Sequence, residues 1–152
     1  MSESAGATDG LTHTVRVRWA ECDPQGVVFN AHYLAYADLN ITELWRAAFG
    51  SYGAMLERGV DIVVAEAQLR FLAAARFDDE LSLSVGVTHL GNTSIVSRHL
   101  VRRGQELLTD ATMRHVMIDR QTGVKTPLPD WARYGLGRWR IEPGQLACER
   151  TD

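Results

Sequence analysis

Asp23 stands at a joint in the chain. It follows Cys22, precedes Pro24 and lies three residues before Gly26 in the stretch ECDPQGVVFN, residues 21–30. A carboxylic acid with an unperturbed pKa of about 3.9 is ionised at neutral pH. Such a residue can act as a nucleophile or a general base without an activating partner. An Asp before proline also makes turns, and position alone leaves both roles open. Spacing alone favours the turn, but the neighbourhood suits chemistry too. An alternating strand pattern precedes the segment, and a long amphipathic helix pattern follows it. A carboxylate placed there faces a helix N-terminus, whose unsatisfied N–H groups and dipole stabilise developing negative charge.

Other reactive residue types carry weaker patterns. Cys22 has no histidine beside it in sequence and reads as a small buried thiol. The histidines at 13, 32, 89, 99 and 115 lack ligand spacing such as a helical His pair, so no metal site is expected. His89, His99 and His115 fall in strands and form the one set that could meet in space.

The elements that must position Asp23 follow from periodicity. Residues 13–19, HTVRVRW, alternate as a half-buried strand with Val15, Val17 and Trp19 on one side. The strand ends near Glu21, Pro24 keeps Asp23 extended, and Gly26 permits a turn. A helix is expected from Asn30, a favoured N-cap type, to Gly50, a common stop. Its apolar stripe runs through Leu34, Ala37, Ile41, Leu44, Trp45 and Ala48, which leaves Asp38 and Glu43 as exposed helix charges. Residues 52–58 read as a short helix or ordered loop. From Asp61 the period becomes two. Val63, Ala65, Ala67, Leu69 and Phe71 share one face, and Glu66, Gln68 and Arg70 share the other. After the connection AARFDDE, the residues Leu81, Leu83, Val85, Val87 and His89 share a face. Strands over 94–102 and 107–118 follow, then a loop and a short helix opening at Pro129 and Asp130. One strand, one long helix and four further strands joined as a meander make an α+β fold with a five-stranded antiparallel sheet.

The bulk numbers fit this reading. With 152 residues the chain suits one domain, 45% hydrophobic and 23% charged content is ordinary for a globular protein, and a net charge of −3 argues against nucleic-acid binding. No apolar run reaches membrane-spanning length. The N-terminus has no secretory pattern, and two distant cysteines, Cys22 and Cys148, make a reducing cytoplasm the simplest compartment. Residues 1–11 and 140–152 read as loose tails around a domain spanning 12–139.

Three segments carry a resemblance. RVRWAECDPQGVVFNAHYLAYAD resembles the opening of the 4-hydroxybenzoyl-CoA thioesterase family of hotdog-fold proteins, through Trp19, Glu21, Cys22, Asp23, Gly26, Val28 and Tyr33. RFLAAARFDDEL and IDRQTGVKTPLP resemble two later family segments, with Ala74 in place of the usual proline. The resemblance implies a hotdog fold, a sheet wrapped around one long helix. It also implies subunits joined sheet edge to sheet edge as dimers that pair into tetramers, with active sites between subunits.

It further implies an acyl-CoA thioesterase that needs no cofactor. Asp23 would attack the thioester or activate water. The Asn30 backbone N–H would hold the oxyanion, and Gly26 would let the loop approach the acyl group. Some relatives carry His at position 30, whereas an amide cannot act as a base. A thiolate, with a thiol pKa of about 8.5, leaves with little protonation, so a lone carboxylate suits a thioester better than an amide. Val28, Phe29 and Val64 are the apolar candidates for the acyl end. His32 would touch substrate or stay on the surface, Tyr33 would pack under the loop, and Glu66 would line the acyl pocket or meet solvent. Ser94 and Arg98 would serve the CoA phosphates, although LGNT replaces the family's basic turn before that serine. A carrier-protein thioesterase, a non-hydrolytic thioester-binding protein and a hotdog dehydratase are the competing readings. Dehydratases place a His or a His–Asp pair at the helix, unlike the motif here.

Overall fold

We analysed a computed structural model of the chain, which describes residues 10–142. Five strands, β1 (Leu11–Arg16), β2 (Val60–Phe71), β3 (Glu80–Leu90), β4 (Ser94–Arg103) and β5 (Glu106–Asp119), form one antiparallel sheet in the order β1-β3-β4-β5-β2. Helix α1 (His32–Phe49) lies along one face, with α2 (Tyr52–Glu57) and α3 (Asp130–Gly137) at its C-terminal end. This is the hotdog architecture of the α+β class. No helix among the described residues is long and apolar enough to cross a membrane.

The strand order corrects one expectation. β3, β4 and β5 do form a meander, but β2 pairs with β5 at the sheet edge and not with β3. The cause lies in residues 72–79, which are too long for a tight turn and carry their own anchors. Leu72 and Ala73 donate to the Leu108 carbonyl, Ala75 accepts from Val28, and Asp79 accepts from Val17. The segment therefore crosses the end of the sheet from β5 to β1.

Bulges correct two face assignments. One bulge lies between Val64 and Glu66 and swaps the parity of β2. Ile62 therefore packs towards α1 before it and Leu69 after it, while Val63 leaves the face expected for it. A second bulge between Val87 and His89 turns Leu90 inward and His89 out to solvent. β1 is also shorter than its alternation suggests. It ends at Arg16, and a single 3₁₀ turn over Trp19–Glu21 leaves the Trp19 side chain 69% exposed.

The apolar stripe of α1 is rotated from the expected one. Tyr33, Tyr36, Ala37, Asn40, Ile41, Leu44 and Trp45 are buried, whereas Leu34 is 42% exposed. Ordered structure extends past both expected boundaries. Leu11 pairs with Val85, and the buried Ile141 covers Gly86, where any side chain would collide with it. Cys148 and most of both expected tails lie outside the described residues.

Beneath α1 the sheet carries two histidines in the core. His99 Nε2 lies 2.8 Å from Ser97 Oγ, and His115 meets the edge of Trp45. Burial, aided by the neighbouring His115, pushes the His99 pKa down to about 3. Burial pushes His115 to about 4 against the pull of Asp38. Both rings are thus neutral in the fold, whereas an unfolded histidine titrates near 6.5. Below that pH the unfolded chain binds protons that the folded chain does not, so stability falls as pH falls from about 6.5 towards the folded values. Thermal melts should show the midpoint dropping by on the order of 10 °C between pH 7 and pH 5, with a shallower fall in His99→Leu.

Candidate active site

Asp23 sits in a tight hairpin between the 3₁₀ turn and α1. Its amide donates to the Val27 carbonyl at 2.9 Å, and its own carbonyl receives the Gly26 N–H at 2.9 Å. Gly26 takes φ +78°, a left-handed conformation that favours glycine. Cys22 bridges to Val28, and Phe29 N–H returns to the Glu21 carbonyl at 2.9 Å. The Asp23 carboxylate is pinned through one oxygen, Oδ1, which accepts the Gln25 N–H at 2.8 Å.

The helix begins two residues later than expected. α1 opens at His32 with Ala31 as its N-cap, and no side chain caps it. Asn30 lies in the preceding turn, where the carbonyls of Phe29 and Asn30 receive the amides of His32 and Tyr33. The expected side-chain cap is therefore replaced by backbone turns. The amides of Asn30 and Ala31 form no hydrogen bond among the described residues. They carry the positive end of the helix dipole.

The crossover segment builds the opposite wall. Asp23, Gln25, Val27, Val28, Asn30 and Tyr33 share an open cleft of about 440 Å³ with Phe71, Leu72, Ala73 and Ala74. Tyr33 joins the two walls: its hydroxyl accepts the buried Ala75 N–H at 3.0 Å, and its ring meets the edge of Phe71. Burial raises the Tyr33 pKa, which keeps the hydroxyl protonated.

The structure thus gathers Asp23, Gly26, Val28, Asn30 and Tyr33 at one place, with Phe29 exposed on the hairpin's outgoing arm. Other candidates stand elsewhere in the chain. Val64, 55% exposed, lines a separate cavity of about 270 Å³ with Trp45 and His115. Glu66 lies on the outer face of the sheet, bonded to Gln68 and 4.0 Å from Arg114. Arg98 forms a bidentate pair with Asp110 at 3.0 and 2.8 Å. Ser94 opens β4 at the end of the sheet remote from Asp23. Cys22 is half-buried, with its thiol directed at the Arg18 carbonyl.

Three features escaped sequence reasoning. The wall residues Leu72–Ala74 lie in a connection, and no periodicity tells where a connection passes. Glu21 is buried behind the hairpin at 5% exposure, although charged residues are rarely buried without partners. His32 contacts Glu21 and not the cleft. The signal for Glu21 was its place in the resembling motif, which carried no hint of depth.

Residues 17–136 match the thioesterase-like superfamily. The chain belongs to this superfamily. It is 32% identical over 106 residues to the acyl-CoA thioester hydrolase YbgC of Escherichia coli O6:H1, covering 69% of this chain and 79% of that protein. The putative acyl-CoA thioesterase YneP of Bacillus subtilis is 23% identical over 122 residues, covering 77% and 88% of the two chains. Among solved structures, the hypothetical protein TT1821 of Thermus thermophilus superposes with a TM-score of 0.78 at 26% identity, over 85% of this chain and 98% of that one. Slr0204 of Synechocystis, a 1,4-dihydroxy-2-naphthoyl-CoA thioesterase, superposes with a TM-score of 0.75 at 21% identity, over 83% and 94%.

Proposed function

We propose that the protein hydrolyses acyl-CoA thioesters to the acid and free CoA, with Asp23 as the reacting carboxylate. The observation that carries this reading is that Asp23 and Asn30, whose amide is unpartnered, line one cleft, with the unpartnered amide of Ala31 next in the chain. The thioester carbonyl oxygen points at those amides. Negative charge that develops on it meets N–H donors and the helix dipole, and losing one such donor typically costs about 100- to 1000-fold in rate. The Asp23 oxygen not held by Gln25 acts in one of two ways. As a base it takes a proton from water, the hydroxide adds to the carbonyl carbon and thiolate leaves to give the acid. As a nucleophile it attacks the carbonyl carbon, thiolate leaves to give an Asp23–acyl anhydride, and water hydrolyses the anhydride to the acid and free Asp23. In both routes thiolate leaves without needing an acid, and the proton given up by water balances the products. Val27, Val28, Phe71 and Leu72 offer the acyl group an apolar surface. Similarity to the E. coli acyl-CoA thioester hydrolase supports CoA as the carrier.

The same reading includes a homodimer, itself a candidate half of a tetramer. β2 is an edge strand with an exposed apolar stretch at Val63 and Val64, and such edges invite pairing. Antiparallel pairing of two β2 strands about a two-fold axis sets the Phe71 end of one beside the Val60 end of its partner. The Val64 cavity of one subunit then approaches the Asp23 cleft of the other.

Thiol release from a panel of short, medium, long and aromatic acyl-CoAs tests the chemistry. Wild type should turn over at least one class. Asp23→Asn, nearly isosteric, should lose at least about 1000-fold in kcat while keeping its melting temperature. Persistent turnover in Asp23→Asn, or none in wild type on any thioester, contradicts the proposal. Light scattering after gel filtration should give at least twice the chain mass, and a monomer would remove the shared-site arrangement.

A further inference from the structure

We infer that Glu21 is a positioning residue for the Asp23 reaction, because its buried carboxylate locks the hairpin that carries Asp23 to the helix start that carries Asn30. This inference rests on the thioesterase reading of the cleft. The joint is built from five contacts. Glu21 Oε1 accepts the Arg18 N–H at 2.8 Å and the Tyr36 hydroxyl at 3.1 Å. Glu21 Oε2 meets His32 Nε2 at 3.0 Å and the Arg18 guanidinium at 3.2 Å. The Glu21 carbonyl closes the hairpin by accepting the Phe29 N–H.

These contacts tie three elements to one residue, the 3₁₀ turn and α1 through its carboxylate and the end of the hairpin through its main-chain carbonyl. Arg18 leads into the 3₁₀ turn, Phe29 ends the hairpin, and His32 and Tyr36 lie in the first two turns of α1. Both reacting groups sit two residues from a contact: Asp23 follows Glu21 by two, and Asn30 precedes His32 by two. The distance between carboxylate and oxyanion donor is therefore governed by this joint. An apolar side chain of similar volume could fill the space at comparable stability. It could not fix the direction of the helix start, because dispersion contacts have no preferred geometry.

The joint also sets protonation states. Burial raises the Glu21 pKa, but the Arg18 N–H, the Tyr36 hydroxyl, the Arg18 guanidinium and His32 outweigh it, and the net shift is downward. An ionised carboxylate only accepts hydrogen bonds. His32 must therefore carry a proton on Nε2, and Tyr36 must donate its hydroxyl proton. Burial and the facing carboxylate raise the Tyr36 pKa, which fits that role.

The test compares wild type, Glu21→Gln and His32→Phe in steady-state kinetics on a turned-over acyl-CoA, with melting temperatures and nitrogen NMR of the histidine rings. A displacement of about 1 Å between reacting groups costs on the order of 100-fold. Glu21→Gln should therefore lower kcat by about 10- to 100-fold per folded molecule and leave KM within about threefold. The His32 ring should pass from a single Nε2–H form to a tautomer mixture. His32→Phe keeps the packing against Tyr36 and should show the same loss in kcat alone, even if Glu21→Gln fails to fold. Unchanged kcat in either folded variant overturns the inference, as does a loss that only tracks the folded fraction. Failure of the thioesterase reading looks different: wild type itself shows no turnover, and both ideas fall together.

Discussion

The strand order β1-β3-β4-β5-β2 is the constraint on which the site depends. Because β2 lies at one edge and β3 beside the opposite edge, the chain between them must cross the end of the sheet. That crossing carries Leu72, Ala73 and Ala74 past the Asp23 hairpin and turns a surface carboxylate into one wall of a cleft. Had β2 and β3 formed a simple hairpin, Asp23 would face solvent beside a bare helix end.

The crossing is held by polar contacts made where the core is otherwise apolar. Val28 N–H donates to the Ala75 carbonyl, and Ala75 N–H donates to the Tyr33 hydroxyl, so hairpin, helix and crossover share one set of bonds. Beneath them Val28, Tyr33, Tyr36, Leu81, Leu83, Val101 and Leu108 pack as a cluster of buried side chains. The cluster supplies non-directional stabilisation, and the hydrogen bonds supply register. Arg103 reinforces the outer side by bonding the Ala74 carbonyl and the Asp79 carboxylate. The frame thereby holds the short loop that carries Asp23 in fixed relation to the start of α1.

Much of this was legible in the sequence, for identifiable reasons. The alternation in β1 and β3 and the three-and-four spacing in α1 survive folding because each element buries one face. Tyr33 was expected to pack under the loop, and it is buried there with its hydroxyl accepting the Ala75 N–H. The parts that escaped are those set by relations between elements. A single bulged residue reversed the face of His89, which no count of twos predicts. Tyr36 and Asn40 displaced Leu34 from the buried stripe because Glu21 and the Ser84 carbonyl bond them, while simple hydrophobicity favours Leu34. The cleft wall came from a connection, and connections carry no period. Nothing in the sequence marked Glu21 as buried, because its depth depends on four donors from Arg18, His32 and Tyr36 that only the fold brings around it.

In the proposed reaction, acyl thioester chemistry takes place between the Asp23 carboxylate and the amides that precede α1. A crystal structure of Asp23→Asn with a non-hydrolysable thioether analogue of an acyl-CoA tests it most directly. The acyl carbonyl oxygen should lie within hydrogen-bond distance of the Asn30 or Ala31 N–H, the carbonyl carbon about 3–3.5 Å from the side chain at position 23, and the acyl group against Phe71 and Leu72. An acyl carbonyl seated elsewhere, with the hairpin and the helix start left untouched, would contradict it.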